Sequence, residues 1–458
     1  MTSNVHPIFA NLAGKKCWFS YDFLTTNEID SGKFQYLVDR EIIAAATTNP
    51  TSNRAVWKQN VETDGGKWRD RVKEMLPHMT PEKVARTLFV SGIIAPAAQA
   101  LELVSRNTKF VNGDISYEIS PKFARTKDPD DKATFKSESQ HALAEILRLD
   151  SSLSQAIKPH NFFVKLHGTN TGFNSAQTAI ARGTNINFTL LSRLNHIRDA
   201  MNAHKEGNYN PEEHTLIQTG PYSKAVFSIF ISRTDREIDP LLSDVLKLLA
   251  HIERRLKLGN GVFGGPKDEI DRGFLAHLRK KYELYKLHYQ DSICADFLKS
   301  IAPLKMQAGP AYIKAIIYPA FKREYVEDSK WQRFMHDKGA IMPQIYLAST
   351  GRKDAAGKYT TDPHYIKPLK GEWTTNTAPP EVISLLAETN PEDMPFDDSL
   401  TMEKDVSEAL IVLSELEDLG IDIELILQDV QDKGLDAFTK DDAAVTEDIT
   451  RTARTLNV

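Results

Sequence analysis

Residues 161–169 read NFFVKLHGT, and shortly before them residues 138–149 read ESQHALAEILRL. The first is a short, almost wholly apolar run of strand length; the second has helical spacing. A helix feeding such a strand is half of a parallel crossover, because parallel neighbours need a connection of a dozen or more residues, usually a helix. The same alternation recurs along the chain. CWFSYDF (17–23), EIIAAATTN (41–49), ISYEIS (115–120), FFVKLHGT (162–169), INFTLL (186–191), AVFSIFISR (225–233), QIYLAST (344–350) and WTTNT (373–377) are expected strands. PEKVARTLFVSGIIAPAAQALELV (81–104) is helical in pattern and precedes the third of them. Eight units of this kind predict an α/β protein whose strands close into a (β/α)8 TIM barrel. An open doubly wound sheet is the competitor, but no GxGxxG or P-loop follows the first strand. NGVFGG (260–265) has the glycines without a preceding strand and is expected to be a loop.

Lys165 interrupts its apolar run, and an ammonium taken out of water costs several kcal/mol unless it is paired or loses its proton. One explanation is a strand-end lysine whose stem lies on apolar surface while its amine reaches water. The other is a lysine inside a cavity, where burial brings the neutral, nucleophilic amine within reach.

A length of 458 residues suggests about three domains, although barrels run past 250 residues as one unit. With 41% hydrophobic and 26% charged residues the chain is globular in composition. A net charge of −5 with mixed signs gives no broad basic field, which argues against nucleic acid as a partner. Cys17 and Cys294 have no CxxC spacing, so neither a disulfide framework nor a zinc ribbon is expected, and a reducing compartment is the default. The N-terminus lacks an apolar core of signal-peptide length, and no later run approaches eighteen uninterrupted apolar residues, so a cytoplasmic location without membrane partners is expected.

Residues 1–400 are expected to form the barrel, with a helical insertion at 240–312. In DPLLSDVLKLLAHIERRL (239–256), Leu242, Val245, Leu246, Leu249 and Leu256 share one side. In DRGFLAHLRKKYELYKLHYQ (271–290), Phe274, Leu278, Tyr282, Tyr285 and Tyr289 form a stripe expected to pack on the barrel exterior. PEDMPFDDSL (391–400) resembles a linker. The C-terminal segment, 401–458, is expected to pack on the barrel, with EALIVLSELEDLG ended by Gly420 and a further helix at IDIELILQDV (421–430).

Barrel chemistry sits at the carboxyl ends of the strands. Asp22, Asn49, Glu118, Lys165, Asn187, Thr189, Ser228 and Arg233 occupy such positions, with Ser349 and Lys353 after the seventh run. Each has a structural alternative. Asp22 could cap a helix, Asn49 before Pro50 could serve a turn, Glu118 could point outward, and Arg233 could pair with Asp235 or Asp239. His160, His167, His196 and His251 show no HExxH or paired ligand spacing, and no metal and no cofactor are expected.

At this point the residues resemble the transaldolase family. WFSYDFLTTNEIDSGKFQYLVDREIIAAATTNPT, NGDISYEISPKFA, NFFVKLHGTNTG, GTNINFTLLSR, AVFSIFISRTDREID, PQIYLASTGRKD and EWTTNTAPPEVI occur in family order, and ALIVLSELEDLGIDIELILQDV is similar to the tail of the longer bacterial-type members. The resemblance covers the chain except roughly 126–150 and 240–312. It implies a class I aldol mechanism without metal, in which Lys165 forms a Schiff base with a ketose phosphate and Asp22 is the acid-base group. Glu118 and Thr189 match the pair that holds a water for the proton steps. Asn49, Asn187 and Ser228 match positions that bind the three-carbon fragment, and Arg233 and Ser349 match phosphate contacts. The second cation is Arg352 or Lys353, with Lys353 favoured. Phe230 is an aromatic without a hydroxyl where related aldolases that release dihydroxyacetone carry tyrosine, which favours transfer. The chain departs from the family at His167 and Gly168, which stand where small residues or proline are usual. The implied activity moves dihydroxyacetone from sedoheptulose 7-phosphate or fructose 6-phosphate to glyceraldehyde 3-phosphate or erythrose 4-phosphate, in the non-oxidative pentose phosphate pathway. A specialised aldolase of another sugar pathway and a non-catalytic sugar-phosphate-binding protein are the alternatives. A monomer or homodimer is expected.

Overall fold

The computed structural model describes residues 5–63, 66–123, 132–157, 161–210, 215–216, 222–257, 301–353, 360 and 362–455. Eight parallel strands close into a barrel: β1 Cys17–Tyr21, β2 Ala45–Thr47, β3 Asp114–Glu118, β4 Phe162–His167, β5 Ile186–Leu191, β6 Ala225–Phe230, β7 Gln344–Ala348 and β8 Thr374–Ala378. Each pairs with its sequence neighbours, and β8 closes the ring on β1, with Cys17 opposite Thr374 and Tyr21 opposite Ala378. All the expected strands are present. The second is shorter than expected, three residues rather than nine, because Asn49 turns the chain into the helix Pro50–Trp57. Its Oδ1 accepts from the Ser52 amide at 2.9 Å, and Pro50 takes the first helical position, where its missing N–H is no loss.

Register decides which side chains face the barrel axis. Glu118 pairs with Lys165, Lys165 with Asn187, and His167 with Thr189, so these five share the inner face. Ala45, Phe163, Val226 and Tyr346 form an apolar layer across the interior. Below it, at the amino ends, Lys224 holds both carboxylate oxygens of Asp114 at 2.5 Å, and Thr375 donates to Gln344 at 2.7 Å. The barrel is therefore plugged at the bottom, and the polar side chains of the inner face lie above the apolar layer. A bulge between Phe188 and Leu191 of β5 adds one residue at the rim, with Leu190 in the left-handed region at φ 57°.

Outside, Pro81–Asn107 runs as one helical path whose buried side, including Val84, Leu88, Ile94 and Leu101, covers the barrel. By length and composition it is, among the described residues, the one helix able to cross a membrane; 44% of its most apolar window is buried. A two-residue hairpin, Tyr209–Asn210 with Thr215–Leu216, was not foreseen. The helix expected near 239 starts already at Ser232 and runs to Lys257, where Leu242 and Val245 pack on Ile301, Leu304, Leu416 and Leu419. The side chains of Leu249 and Leu256, the segment 258–300 with its aromatic stripe, and Cys294 lie outside the described residues.

Helix Val406–Asp418 ends near Gly420, whose φ of +77° gives the left-handed stop the sequence suggested. The final helix is corrected: it spans Ile423–Thr455, 33 residues rather than ten. Leu427, Leu435, Phe438, Val445 and Ile449 are buried along it at helical spacing. It crosses the carboxyl ends of the strands. Thr51 beyond β2 donates to Asp441 at 2.6 Å, Ser120 beyond β3 donates to Asp442, Gln431 donates to the Gly168 carbonyl beyond β4, and Ser192 beyond β5 donates to the Leu427 carbonyl at 2.8 Å.

Candidate active site

Lys165 points up the axis from the middle of β4 and is 4% exposed. Its Nζ lies 3.0 Å from Glu118 Oε2, 3.1 Å from the Thr48 carbonyl and 3.4 Å from Thr47 Oγ1. The cation inside the apolar run is thus neither a surface lysine nor an unpartnered one; a buried carboxylate on the next strand answers it. Burial alone would raise Glu118, but the Lys165 charge and the His167 hydrogen bond outweigh it and hold the carboxyl below its ordinary value. His167 Nε2 reaches the other carboxylate oxygen, Oε1, at 2.7 Å. The lysine, glutamate and histidine form one continuous polar chain across β3 and β4.

Asp22 follows β1 directly and continues its ladder, its amide donating to the Ala378 carbonyl at 3.0 Å. It does not cap the next helix: Thr25 does, in a capping box with Glu28. One carboxylate oxygen accepts from the Phe23 amide at 2.9 Å. Burial raises Asp22 from the usual carboxylate range; the charges of Lys165 and Arg233 pull it back, and Glu118 pushes it further up. Asp22 therefore shares the field of the lysine, the arginine and the second carboxylate at the mouth.

The wall on the β5–β6 side is a hydrogen-bonded set. Ser228 donates to Asn187 Oδ1 at 2.7 Å, and Asn187 Nδ2 donates to Ser116 Oγ at 2.9 Å, so the amide is held flat between three strands. Thr189 is fully buried beside the bulge. At the rim, Arg233 lies in the first turn of the helix that begins at Ser232, its guanidinium 4.2 Å from the Phe230 ring. Phe438 of the C-terminal helix lies 5.4 Å from the same guanidinium. Ser349, with φ 60°, places its hydroxyl 2.9 Å from that of Ser232 and so borders the same helix start. Arg352 is ion-paired with Asp362 at 2.5 Å, whereas Lys353 sits beside it on the exposed loop. Asn49 stands at the rim of β2, its carbonyl oxygen engaged in the helix cap and its amide group left as the donor for any ligand.

Two spaces adjoin this constellation. A groove of about 930 Å³ leads outward from Glu118 past Tyr117, Arg86, Lys122 and Asp442. A cavity of about 160 Å³ lies between His167, Leu190, Arg193, His196 and Gln431, roofed by the C-terminal helix. Among the described residues, no group of three His, Cys, Asp or Glu side chains is arranged to hold a metal ion.

The sequence missed five contributors. Thr47 and Thr48 hold the lysine from within the TTNP turn, which was legible only as a turn. His167 stands out in the sequence only as a departure from the family, not as a partner of Glu118. Phe438 and Gly434 approach Arg233 from more than 200 residues away, and a Cβ on Gly434 would stand 2.7 Å from Arg233 Nη1.

Residues 19–449 match the family described as transaldolase/fructose-6-phosphate aldolase. A protein of Kocuria rhizophila named transaldolase is 29% identical over 233 residues, 51% of this chain and 56% of that protein. The transaldolase of Mycobacterium tuberculosis is 22% identical over 428 residues, covering 93% of this chain and 91% of the relative. That of Renibacterium salmoninarum is 24% identical over 440 residues, covering 96% and 93%.

Proposed function

The chain belongs to the transaldolase/fructose-6-phosphate aldolase family, and from that premise we propose that it transfers a dihydroxyacetone unit between sugar phosphates through an imine on Lys165. The observation that carries the proposal is the buried ion pair of Lys165 with Glu118, set at the carboxyl end of a plugged barrel. A resting ammonium is not a nucleophile. A carboxylate 3.0 Å away can take its proton and release the amine to attack the second-carbon carbonyl of a ketose phosphate.

Asp22 then removes the proton of the fourth-carbon hydroxyl, and the bond between the third and fourth carbons breaks with its electrons drawn into the protonated imine. An aldose phosphate leaves. The enamine held on Lys165 adds to an incoming aldehyde, and Asp22 returns the proton to the new alkoxide. Asn187, oriented by Ser116 and Ser228, together with Ser228 and the Asn49 amide, fixes the hydroxyls of the three-carbon fragment. Thr189 serves with Glu118 in the proton steps of imine formation. Arg233, the start of its helix, Ser349 and Lys353 receive the phosphate; a guanidinium fork and helix-terminal amides both suit phosphate oxygens. The donors are sedoheptulose 7-phosphate or fructose 6-phosphate, and the acceptors are glyceraldehyde 3-phosphate or erythrose 4-phosphate, as in the non-oxidative pentose phosphate pathway.

Borohydride reduction in the presence of fructose 6-phosphate, followed by peptide mass spectrometry, should place a three-carbon adduct on Lys165. Lys165→Ala and Lys165→Arg should both lose the adduct and about a thousandfold or more in turnover, since arginine keeps the charge and forms no imine. An adduct on another residue, or none, would sink the proposal. Release of free dihydroxyacetone at the rate of donor cleavage would assign the chain to an aldolase instead; Phe230, which has no hydroxyl to donate, favours transfer.

A further inference from the structure

We propose that His167 is a positioning residue for this reaction, orienting Glu118 against Lys165 and carrying the proton that Glu118 exchanges while the imine forms. The inference rests on the reading of Lys165 as the imine-forming group. His167 lies two residues beyond Lys165 on β4 and is wholly buried. Its Nε2 lies 2.7 Å from Glu118 Oε1, while Glu118 Oε2 faces Lys165 Nζ at 3.0 Å. A carboxylate accepts, so Nε2 carries the hydrogen and Nδ1 is left as an acceptor. Among the described residues Nδ1 has no hydrogen-bond partner, and neither has Thr189 Oγ1, buried on the register partner of His167.

A buried polar atom without a partner is costly, so these two atoms on paired strands are suited to hold a proton or a water in transit. The other charged groups facing His167 are Lys165 on its own strand, Glu118 on β3 and Asp442 on the C-terminal helix, with Arg193 and His196 across the small cavity.

The proton balance closes. Lys165 gives its ammonium proton to Glu118 and attacks the carbonyl carbon, and the C–N bond forms as the carbonyl π bond opens. One proton then moves from the new nitrogen to the alkoxide through Glu118 and His167. Glu118 protonates the resulting hydroxyl, which leaves as water when the C–O bond breaks. Ammonium and ketone have become iminium and water, with no proton left over. Without His167 the carboxylate keeps its charge partner but loses both its fixed orientation and the second proton carrier.

The test compares the wild-type chain with His167→Gln and His167→Ala, following single-turnover borohydride trapping with fructose 6-phosphate alongside steady-state transfer. His167→Gln keeps a donor to Glu118 but passes no proton. Both variants should trap on Lys165 at least tenfold more slowly, with kcat lowered by the same factor and KM within about twofold, the split expected when only transition-state help is lost. Free imidazole should restore part of the rate to His167→Ala and none to His167→Gln. Wild-type trapping rates in both variants, or full rate in His167→Gln, would overturn the inference and leave the imine reading standing. Failure of the wild type to trap at all would overturn that reading and this one together.

Discussion

A buried lysine and a buried carboxylate stabilise each other only as a pair, and chemistry becomes possible when a proton can move between them. Position 165 was legible because the apolar run gave no solvent to the cation, and Glu118 because a covered parallel strand leaves a carboxylate nowhere to go but inward. Asp22 adds the third charge. Burial raises its carboxyl above the ordinary 3.8 against the pull of Lys165 and Arg233. In the proposed reaction Asp22 is the base in bond cleavage and must be ionised, so activity is expected above its raised value and lost as pH falls through it. The acid limb of kcat should therefore lie above the ordinary carboxylate range. Asp22→Asn should remove that limb and about 10²–10⁴-fold of turnover while leaving the Lys165 adduct trappable. Loss of trapping in the amide variant would place Asp22 in imine formation instead. His167 escaped the sequence reading because a histidine in an apolar run has no spacing signature; only the 2.7 Å approach to Glu118 gives it a task.

The C-terminal helix shows where reading by element reached its limit. Its start was visible at residues 421–430, but the remaining turns mix Asp, Lys and Thr with a few apolar residues, and nothing local says that Asp441, Asp442 and Asp448 have partners on the barrel rim. Those partners are Thr51, Ser120 and Arg54. The helix matters to the site through one turn. Gly434 lets the backbone pass close to Arg233, and Phe438 meets the guanidinium beside Phe230, the two rings 6.5 Å apart and edge to face. Leu190, forced into the left-handed region by the bulge, packs on Leu435 and Phe438 and holds that turn down. The arginine is thereby fixed in place, ready for the phosphate of the proposed substrate. A cation–π contact of about 0.5–2 kcal/mol corresponds to roughly two- to thirtyfold in affinity, so Phe438→Ala should raise KM for fructose 6-phosphate within that span. The rate with free dihydroxyacetone as donor and unphosphorylated glyceraldehyde as acceptor, a pair without phosphate, should change little. Equal losses with both donors would mean that Phe438 supports the helix alone.

At the scale of the molecule, the alternation of apolar runs and helical patterns was sufficient to give the barrel, because eight parallel strands covered by helices leave few other closures. The long excursion after β6 was legible only as an insertion. What ties its ends together is a group the sequence offered merely as a partner for Arg233. Asp235, in the first turns of helix Ser232–Lys257, accepts from the Gly309 amide at 3.0 Å, joining the outgoing helix to the returning segment. Gly309 itself is pressed against Ile231, where a Cβ would lie 2.5 Å from the carbonyl oxygen. Burial pushes Asp235 up to about 7, with the Gly309 amide opposing and Asp239 adding to the rise. The unfolded carboxyl titrates near 3.8, so between these values the folded chain holds a proton that the unfolded chain has lost. Its contribution to stability is full below the lower value and disappears as pH climbs through the higher one. The loss is on the order of a few kcal/mol, at about 1.4 kcal/mol per unit. Asp235→Asn keeps the acceptor and stays neutral at every pH. Thermal unfolding of the two proteins should therefore diverge from pH 5 to pH 8, the variant gaining on the wild type as pH rises. A constant offset across that range would show that the carboxyl at 235 titrates in the ordinary range and that the joint is held by packing at Gly309.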